Sequence, residues 1–300
     1  MTVRIGIDLG GTKTEAACLG EDGRILVRQR IATPPDYQAS LQSIVALVTA
    51  LENSLGATAS IGVGIPGVVS PDTGLVKNAN STWLIGQPFA HDLSERLSRP
   101  VRVMNDANCF AISEASDGAA AGARSVFGVI LGTGVGGGIV LDGRILDGPN
   151  LIGGEWGHNS MPWMTADEFP GDDCYCGKRG CVETFLSGPA FERDYARRAT
   201  QDRVSADIVS LAKTGDPIAA ESLALYGDRL SRALSMVVNI LDPEVIVLGG
   251  GMSNLPDLAQ IVERGLMRHV FSSQLKTRVV RNMHGDSSGV RGAAWLWPAG

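Results

Sequence analysis

Three cysteines crowd into eight residues, Cys174-x-Cys176-x4-Cys181, and a histidine, His158, precedes them in Glu155-Trp-Gly-His158. Three thiolates and an imidazole form a tetrahedral Cys3His set for Zn²⁺, and four protein ligands leave no open position for a reacting water. The expected metal is therefore structural, pinning the loop between His158 and Cys181. His158 keeps a second ring nitrogen, and Glu155 and Glu183 flank the cluster. Two carboxylates and an imidazole on a rigid loop suit hydrogen bonding to a polyhydroxylated ligand.

A second group of carboxylates lies in the N-terminal half. Val101-Arg-Val-Met104 reads as a strand, and Asn105-Asp106-Ala107-Asn108 follows at its C-terminal end, where open α/β sheets place ligands. There Asp106 has the chemistry of a general base for a hydroxyl attacking a γ-phosphate. The alternative is that Asp106 or Asn108 caps the following helix, and a capped turn would also hold the carboxylate rigid. Asp8 stands just before a glycine turn. It could cap that turn or hold Mg²⁺ through water beside phosphates.

Two turns have the composition of phosphate grips: Gly10-Gly11-Thr12-Lys13 and Gly132-Thr133-Gly134. Consecutive glycines let backbone N–H groups approach a phosphate, and the threonine hydroxyl adds a donor. A single such turn is also an ordinary hairpin; two, one per half, could clamp a polyphosphate from both sides. Gly249-Gly250-Gly251 ends a third strand. Two familiar patterns are rejected. Gly132-x-Gly134-x-x-Gly137 runs into a strand rather than a helix, so it is no dinucleotide fingerprint, and Gly177-Lys178 is followed by Arg179, so no P-loop is present.

The elements that position these residues come in two copies. Ile5 to Leu26 is apolar run, glycine turn, apolar run, Asp-Gly turn and apolar run, and Phe127 to Leu146 repeats that plan, both ending in Asp-Gly-Arg-Ile-Leu. Helical spacing follows over Tyr37 to Leu55 and Pro217 to Leu241, with a helix over Cys109 to Ala123, strands over Ser60 to Ile65 and Val245 to Leu248, and a final helix from about Ser288 to Trp297. The expectation is a duplicated α/β chain. Residues 1–117 with the C-terminal helix 288–300 would form a small N-terminal lobe, and 118–287 a larger lobe carrying the zinc loop. The loop after Ile65-Pro66-Gly67, with Asn78, Asn80, Ser81 and Thr82, should face the same cleft.

Composition narrows the classes. In 300 residues, 26 Lys+Arg against 32 Asp+Glu give a net charge of −6 without a basic block, so neither nucleic acid nor an anionic membrane is an expected partner. The longest uncharged stretch, Ser125 to Leu141, is too short and glycine-rich to span a bilayer. No secretory signal is visible, and five cysteines, three of them clustered, fit a reducing compartment. The expected location is cytoplasmic.

Taken together, these residues resemble the ROK family of bacterial sugar kinases within the actin-like/hexokinase ATPase superfamily. The resemblance runs from about residue 3 to 298. It rests on Asp8-Leu-Gly-Gly-Thr-Lys13, Gly64-Ile-Pro-Gly67, Asn105-Asp-Ala-Asn108, Gly132-Thr-Gly134, Glu155-x-x-His158, Cys174-x-Cys-Gly-x-x-Gly-Cys-x-Glu183 and Gly249-Gly-Gly251. It implies a two-lobed actin-like (ribonuclease H-like) fold with an interlobe active-site cleft, ATP with Mg²⁺, structural Zn²⁺ on His158, Cys174, Cys176 and Cys181, and a homodimer. By the resemblance Asp106 deprotonates a hexose 6-hydroxyl, while Gly67, Asn80, Asn105, Glu155, His158 and Glu183 hold the sugar. Gly10 to Lys13 and Gly132 to Gly134 would bind phosphates, and Gly249 to Gly251 the adenosine side. Asn78-Ala-Asn-Ser-Thr-Trp83 and the ending His284 to Trp297 are most similar to the manno(fructo)kinase type, which implies fructose, with mannose next. N-acetylglucosamine kinases and glucokinases are the near alternatives. The family's sugar-sensing repressors carry an N-terminal helix-turn-helix, which the strand starting at Val3 does not match.

Overall fold

The computed structural model describes residues 3–79 and 81–297, which leaves Asn80 outside the described residues. Strands β1 (Val3–Leu9) and β2 (Lys13–Leu19) form an antiparallel hairpin that sets Asp8 opposite Glu15, and β3 (Ile25–Ala32) continues the meander. Helix α1 (Tyr37–Leu55) starts where the Asp36 carboxylate accepts the Ala39 N–H and stops at left-handed Gly56. Its Leu41, Ile44, Leu47, Val48 and Leu51 share the buried stripe that 3.6-residue periodicity dictates.

Strand β4 (Ala59–Ile65) then pairs parallel to β1, β5 (Val68–Val69) and β6 (Val76–Lys77) make a short ribbon, and α2 (Phe89–Leu97) leads into β7 (Val101–Asn105), parallel to β4. The first sheet has the order β3-β2-β1-β4-β7. Helix α3 (Asp106–Ser116) leaves the end of β7.

The second half repeats the plan. Strands β8 (Ser125–Leu131) and β9 (Val135–Leu141) pair antiparallel, and Asp142 and Gly143 then both take positive φ, 47° and 73°, in the manner of a two-residue hairpin turn into β10 (Arg144–Ile145). After a long loop come α4 (Glu183–Leu186), α5 (Gly188–Ala199), α6 (Ser205–Lys213) and α7 (Pro217–Leu241). Strand β11 (Val245–Gly249) is parallel to β8, α8 (Leu258–Leu266) follows, and β12 (Arg278–Arg281) is parallel to β11. The order β9-β8-β11-β12 thus reproduces β2-β1-β4-β7. Helix α9 (Ser288–Trp295) ends the chain and packs on β1, β4 and α3.

The chain divides into unit 1 (Met1–Ala121, Gly143–Gly153 and His284–Gly300) and unit 2 (Gly122–Asp142 and Gly154–Met283). Each has its own core. Ile5, Ile7, Leu41, Ile44, Ile61 and Val63 are fully buried in unit 1, and Val129, Leu230, Leu234, Ile246 and Val262 in unit 2. The boundary expected at 117/118 lies at 121/122, the expected 288 start of the returning segment lies at His284, and the segment 143–153, expected in the larger lobe, belongs to unit 1. The units are close to equal in length rather than small and large.

The helix expected over Cys109–Ala123 begins three residues earlier and ends at Ser116. Asn105, not Asp106 or Asn108, is its cap. Beyond its far end the chain folds back on Glu114, whose carboxylate accepts the Ala119 N–H and whose carbonyl accepts the Ala120 N–H. Among the described residues no helix is long and apolar enough to cross a membrane.

Candidate functional site

In unit 1 the candidate chemistry lies at the C-terminal ends of the parallel strands. Asn105 closes β7 with extended backbone, and its side-chain oxygen accepts the Ala107 N–H at 2.9 Å and the Asn108 N–H at 3.4 Å. That leaves Asp106 as the first residue of α3, with one oxygen accepting the Ala107 N–H at 2.8 Å. A carboxylate at a helix N-terminus is stabilised by the backbone dipoles and held in a defined direction.

Asp8 sits close enough to Asp106 and to Glu15 for both to act on it electrostatically. Burial first, then Asp106 and Glu15, raise its carboxyl to about 6 from an ordinary 3.8, opposed only by Arg30. Arg28 and Arg30 are drawn to Glu15 instead, with Arg30 Nε donating at 2.8 Å. Helix α9 approaches so closely that a Cβ on Gly289 would stand 2.9 Å from an Asp8 oxygen, so a larger residue there would push the carboxylate aside. A crowded, partly desolvated carboxylate of this kind is matched by a divalent cation, and that is the fit of Asp8 to a magnesium-bearing role.

The turn that follows Asp8 is self-bonded. The Gly10 N–H goes to the Lys13 carbonyl at 3.0 Å, and the Thr33 hydroxyl donates to the Gly10 carbonyl at 2.8 Å. Gly11, Thr12 and Lys13 are exposed. Gly67 is buried, and a Cβ there would stand 2.8 Å from the Cβ of Ala79, so it serves close packing of the 77–79 loop.

Unit 2 builds a pocket of about 740 Å3 from both of its glycine turns: Gly132 and Thr133 at one side, Gly251, Met252, Asn254 and Leu255 at another. Its volume lies in the range of small-molecule sites. Pro189, Glu192, Ser205 and Val209 complete it from α5 and α6. These were not legible in sequence, because no motif links them; only the fold brings the helix starts to the strand ends. Of the expected glycine triplet, Gly249 finishes β11, while Gly250 has φ 79° and its carbonyl accepts from Ser253 N–H and hydroxyl. Gly251 alone of the three lines the pocket.

The second turn is also partly spent internally. The Gly132 N–H donates to the Gly134 carbonyl at 2.9 Å, and one Glu183 oxygen accepts the Val135 N–H at 2.8 Å. That oxygen would stand 2.6 Å from a Cβ on Gly134. Glu183 therefore braces the 132–135 turn from the start of α4. Any phosphate grip here rests on the turn's remaining amides and the exposed Thr133 hydroxyl.

The four expected metal ligands converge. The ligand atoms of His158, Cys174, Cys176 and Cys181 all lie within 4.8 Å of one another. Cys176 Sγ is 3.6 Å from Cys181 Sγ, and Cys174 Sγ is 3.5 Å from His158 Nδ1. A zinc tetrahedron with Zn–S near 2.3 Å and Zn–N near 2.1 Å has edges of about 3.6–3.8 Å, close to the two shorter separations, so this donor set suits that ion. The other imidazole nitrogen, Nε2, faces the Tyr175 hydroxyl at 3.0 Å, a partner the sequence did not reveal. Glu155 is exposed, and its carbonyl accepts the His158 N–H across a single 3-10 turn, which holds the two residues in fixed relation.

The model of the ROK family matches residues 4–299. N-acetyl-D-glucosamine kinase of Photobacterium profundum is 38% identical over 296 residues, which is 97% of this chain and 98% of that protein. Among solved structures, the ROK hexokinase from Thermus thermophilus superposes with a TM-score of 0.85 at 30% identity, covering 98% of this chain and 97% of that one. A ROK family glucokinase from Streptomyces griseus, solved in complex with glucose and AMPPNP, gives 0.80 at 29% identity, covering 99% of this chain and all 100% of that one.

The raised Asp8 carboxyl has a stability consequence. The folded state keeps this proton to about pH 6, whereas the unfolded chain releases it near 3.8, so folding is favoured most below pH 4 and loses that contribution as pH rises through 6. Asp8→Asn removes the ionisation. At pH 7.5 the variant should be about 2–3 kcal/mol more stable than the parent in urea unfolding, and the advantage should vanish by pH 4. An advantage that does not change with pH would contradict the assignment.

Proposed function

The chain belongs to the ROK family and is a sugar kinase of it, with the actin-like ATPase fold; from that premise we propose that it transfers the γ-phosphoryl group of ATP to the 6-hydroxyl of N-acetylglucosamine. The observation that carries the acceptor is the 38% identity to an N-acetylglucosamine kinase over nearly the whole of both chains. Fructose, the acceptor expected from the sequence, becomes the second reading. It retains the support of Asn78-Ala-Asn-Ser-Thr-Trp83, although Asn80 itself lies outside the described residues.

Asp106 is the base. It takes the proton of the 6-hydroxyl as that oxygen bonds to the γ-phosphorus and the bond to the β–γ bridging oxygen breaks, leaving ADP. The Asn105 cap supports this role because it leaves the Asp106 carboxylate at the open end of the sheet. Asn105, Glu155, His158 and Glu183 hold the remaining hydroxyls, with Gly67 shaping the loop behind them. For His158 the sugar would contact the Nε2 that now faces Tyr175. For Glu183 it would contact the oxygen not bonded to Val135.

The nucleotide takes the unit 2 pocket, its base against Met252 and Leu255 and its phosphates toward Gly132 and Thr133. Asp8 and the turn Gly10 to Lys13 serve the phosphate end, where magnesium would supply charge neutralisation of the phosphates. His158, Cys174, Cys176 and Cys181 would hold zinc, which would supply rigidity rather than reaction chemistry.

A coupled ADP-release assay over N-acetylglucosamine, fructose, mannose, glucose and N-acetylmannosamine tests the acceptor: N-acetylglucosamine should give the highest kcat/KM. A fructose maximum would replace it with the second reading, and no turnover with any hexose would defeat both. Asp106→Asn should keep sugar and nucleotide affinity yet lose about a hundredfold or more in kcat; near-parental turnover would remove Asp106 from the mechanism.

A further inference from the structure

The loop that carries the metal ligands has a second anchor, built from charge rather than from thiolates. Glu168 is buried at 7% exposure in the stretch between His158 and the cysteines. Its carboxylate accepts from Arg229 Nε at 2.8 Å and from both terminal nitrogens of Arg232, at 2.7 and 2.9 Å, as well as from the Thr165 N–H at 3.1 Å. Both arginines project from α7, the longest helix of unit 2, and both are buried. Arg232 also donates to the Trp163 carbonyl at 2.9 Å and the Pro162 carbonyl at 3.3 Å, and to Asp228 at 2.9 Å. Arg229 reaches Asp194 on α5 at 3.2 Å and lies over the ring of Phe185, 5.3 Å from its centroid, on the same short helix as Glu183.

A metal tying residues 158, 174, 176 and 181 to one another makes that knuckle rigid within itself. It does not fix where the knuckle sits on the rest of unit 2. The Trp156 Nε1–Gly136 and Val135–Glu183 hydrogen bonds tie the two ends of the segment to β9, and the Glu168 cluster supplies the reference for its middle, because it joins the 162–168 stretch to α7, whose Leu230, Ala233 and Leu234 are core residues. Three charged hydrogen bonds of this length, shielded from water, hold geometry tightly, and a planar guanidinium fork fixes direction as well as distance.

We infer that Glu168, gripped by Arg229 and Arg232, is a positioning residue for the sugar acceptor: it registers the segment bearing Glu155, His158 and Glu183 on the core of unit 2. The inference rests on the reading of that segment as the sugar-holding one. Glu168 touches no substrate. Its effect travels through the loop, so it should fall far more heavily on the sugar than on the nucleotide.

The test is steady-state kinetics on the full-length protein, varying the best hexose of the panel at saturating ATP and then ATP at saturating hexose, with metal content measured in parallel. Glu168→Gln should raise the sugar KM about tenfold or more while the ATP KM stays within about twofold and the bound metal equals the parent's. Glu168→Asp, which keeps the charge, should recover part of the loss. Where the Gln variant does not yield folded protein, Arg232→Lys keeps a cation but loses the fork, and it should show the same split. A folded variant with unchanged sugar KM, or with both KM values rising together as a general loosening would produce, overturns the inference. Glu155→Gln is the reference: if it raises the sugar KM and Glu168→Gln does not, only this inference fails. If Glu155→Gln has no effect either, the sugar-holding reading of the segment fails.

Discussion

Carboxylates brought together out of water repel one another, and the first unit is arranged around that repulsion. Asp8 ends one parallel strand, Asp106 opens the helix after another, and Glu15 stands across the hairpin from Asp8. Burial first, and then this company, raise the Asp8 pKa to about 6, so holding it ionised at neutral pH costs about 2–3 kcal/mol. A fold bears such a cost where the charge is used. Neither arginine beside it relieves Asp8 fully, because Glu15 takes Arg28 and Arg30. A bound cation would offset both the burial and the repulsion.

The second unit repeats the strand order but spends its hairpin turn differently. Where the first turn follows an aspartate, the second is braced from outside by Glu183, which holds the Val135 amide. The same short helix carries Phe185 under Arg229, so α4 meets both the 132–135 turn and an arginine of α7. Buried charge clusters of this kind add little net stability, since desolvation offsets most of the attraction. Their contribution is a fixed geometry, which a loop lacking regular structure cannot supply for itself.

The parts legible in sequence were those with local signals. Paired glycine turns, repeated Asp-Gly hairpins and thiols at close spacing announce themselves within a few residues, and the side chains of His158, Cys174, Cys176 and Cys181 do converge. Helix ends were less legible. Three adjacent polar residues, Asn105, Asp106 and Asn108, compete for one cap, and only backbone geometry selects Asn105. The pocket residues Glu192, Ser205 and Asn254 come from separate elements and carry no shared pattern. Tyr175 escaped notice because its partnership with His158 depends on how the loop folds back. The acceptor was the least legible of all, since sugars differing by one substituent are separated by small displacements of the same hydroxyl-binding groups.

The account depends most on the proximity of Asp8 and Asp106, and carbon-13 NMR titration of the Asp8 carboxyl measures it directly. In the parent protein the midpoint should lie near 6, and in Asp106→Asn it should fall as one repelling charge is removed while staying above the ordinary 3.8, because burial and Glu15 remain. An Asp8 that titrates near its ordinary value in the parent, or that is unmoved by the substitution, would contradict the account.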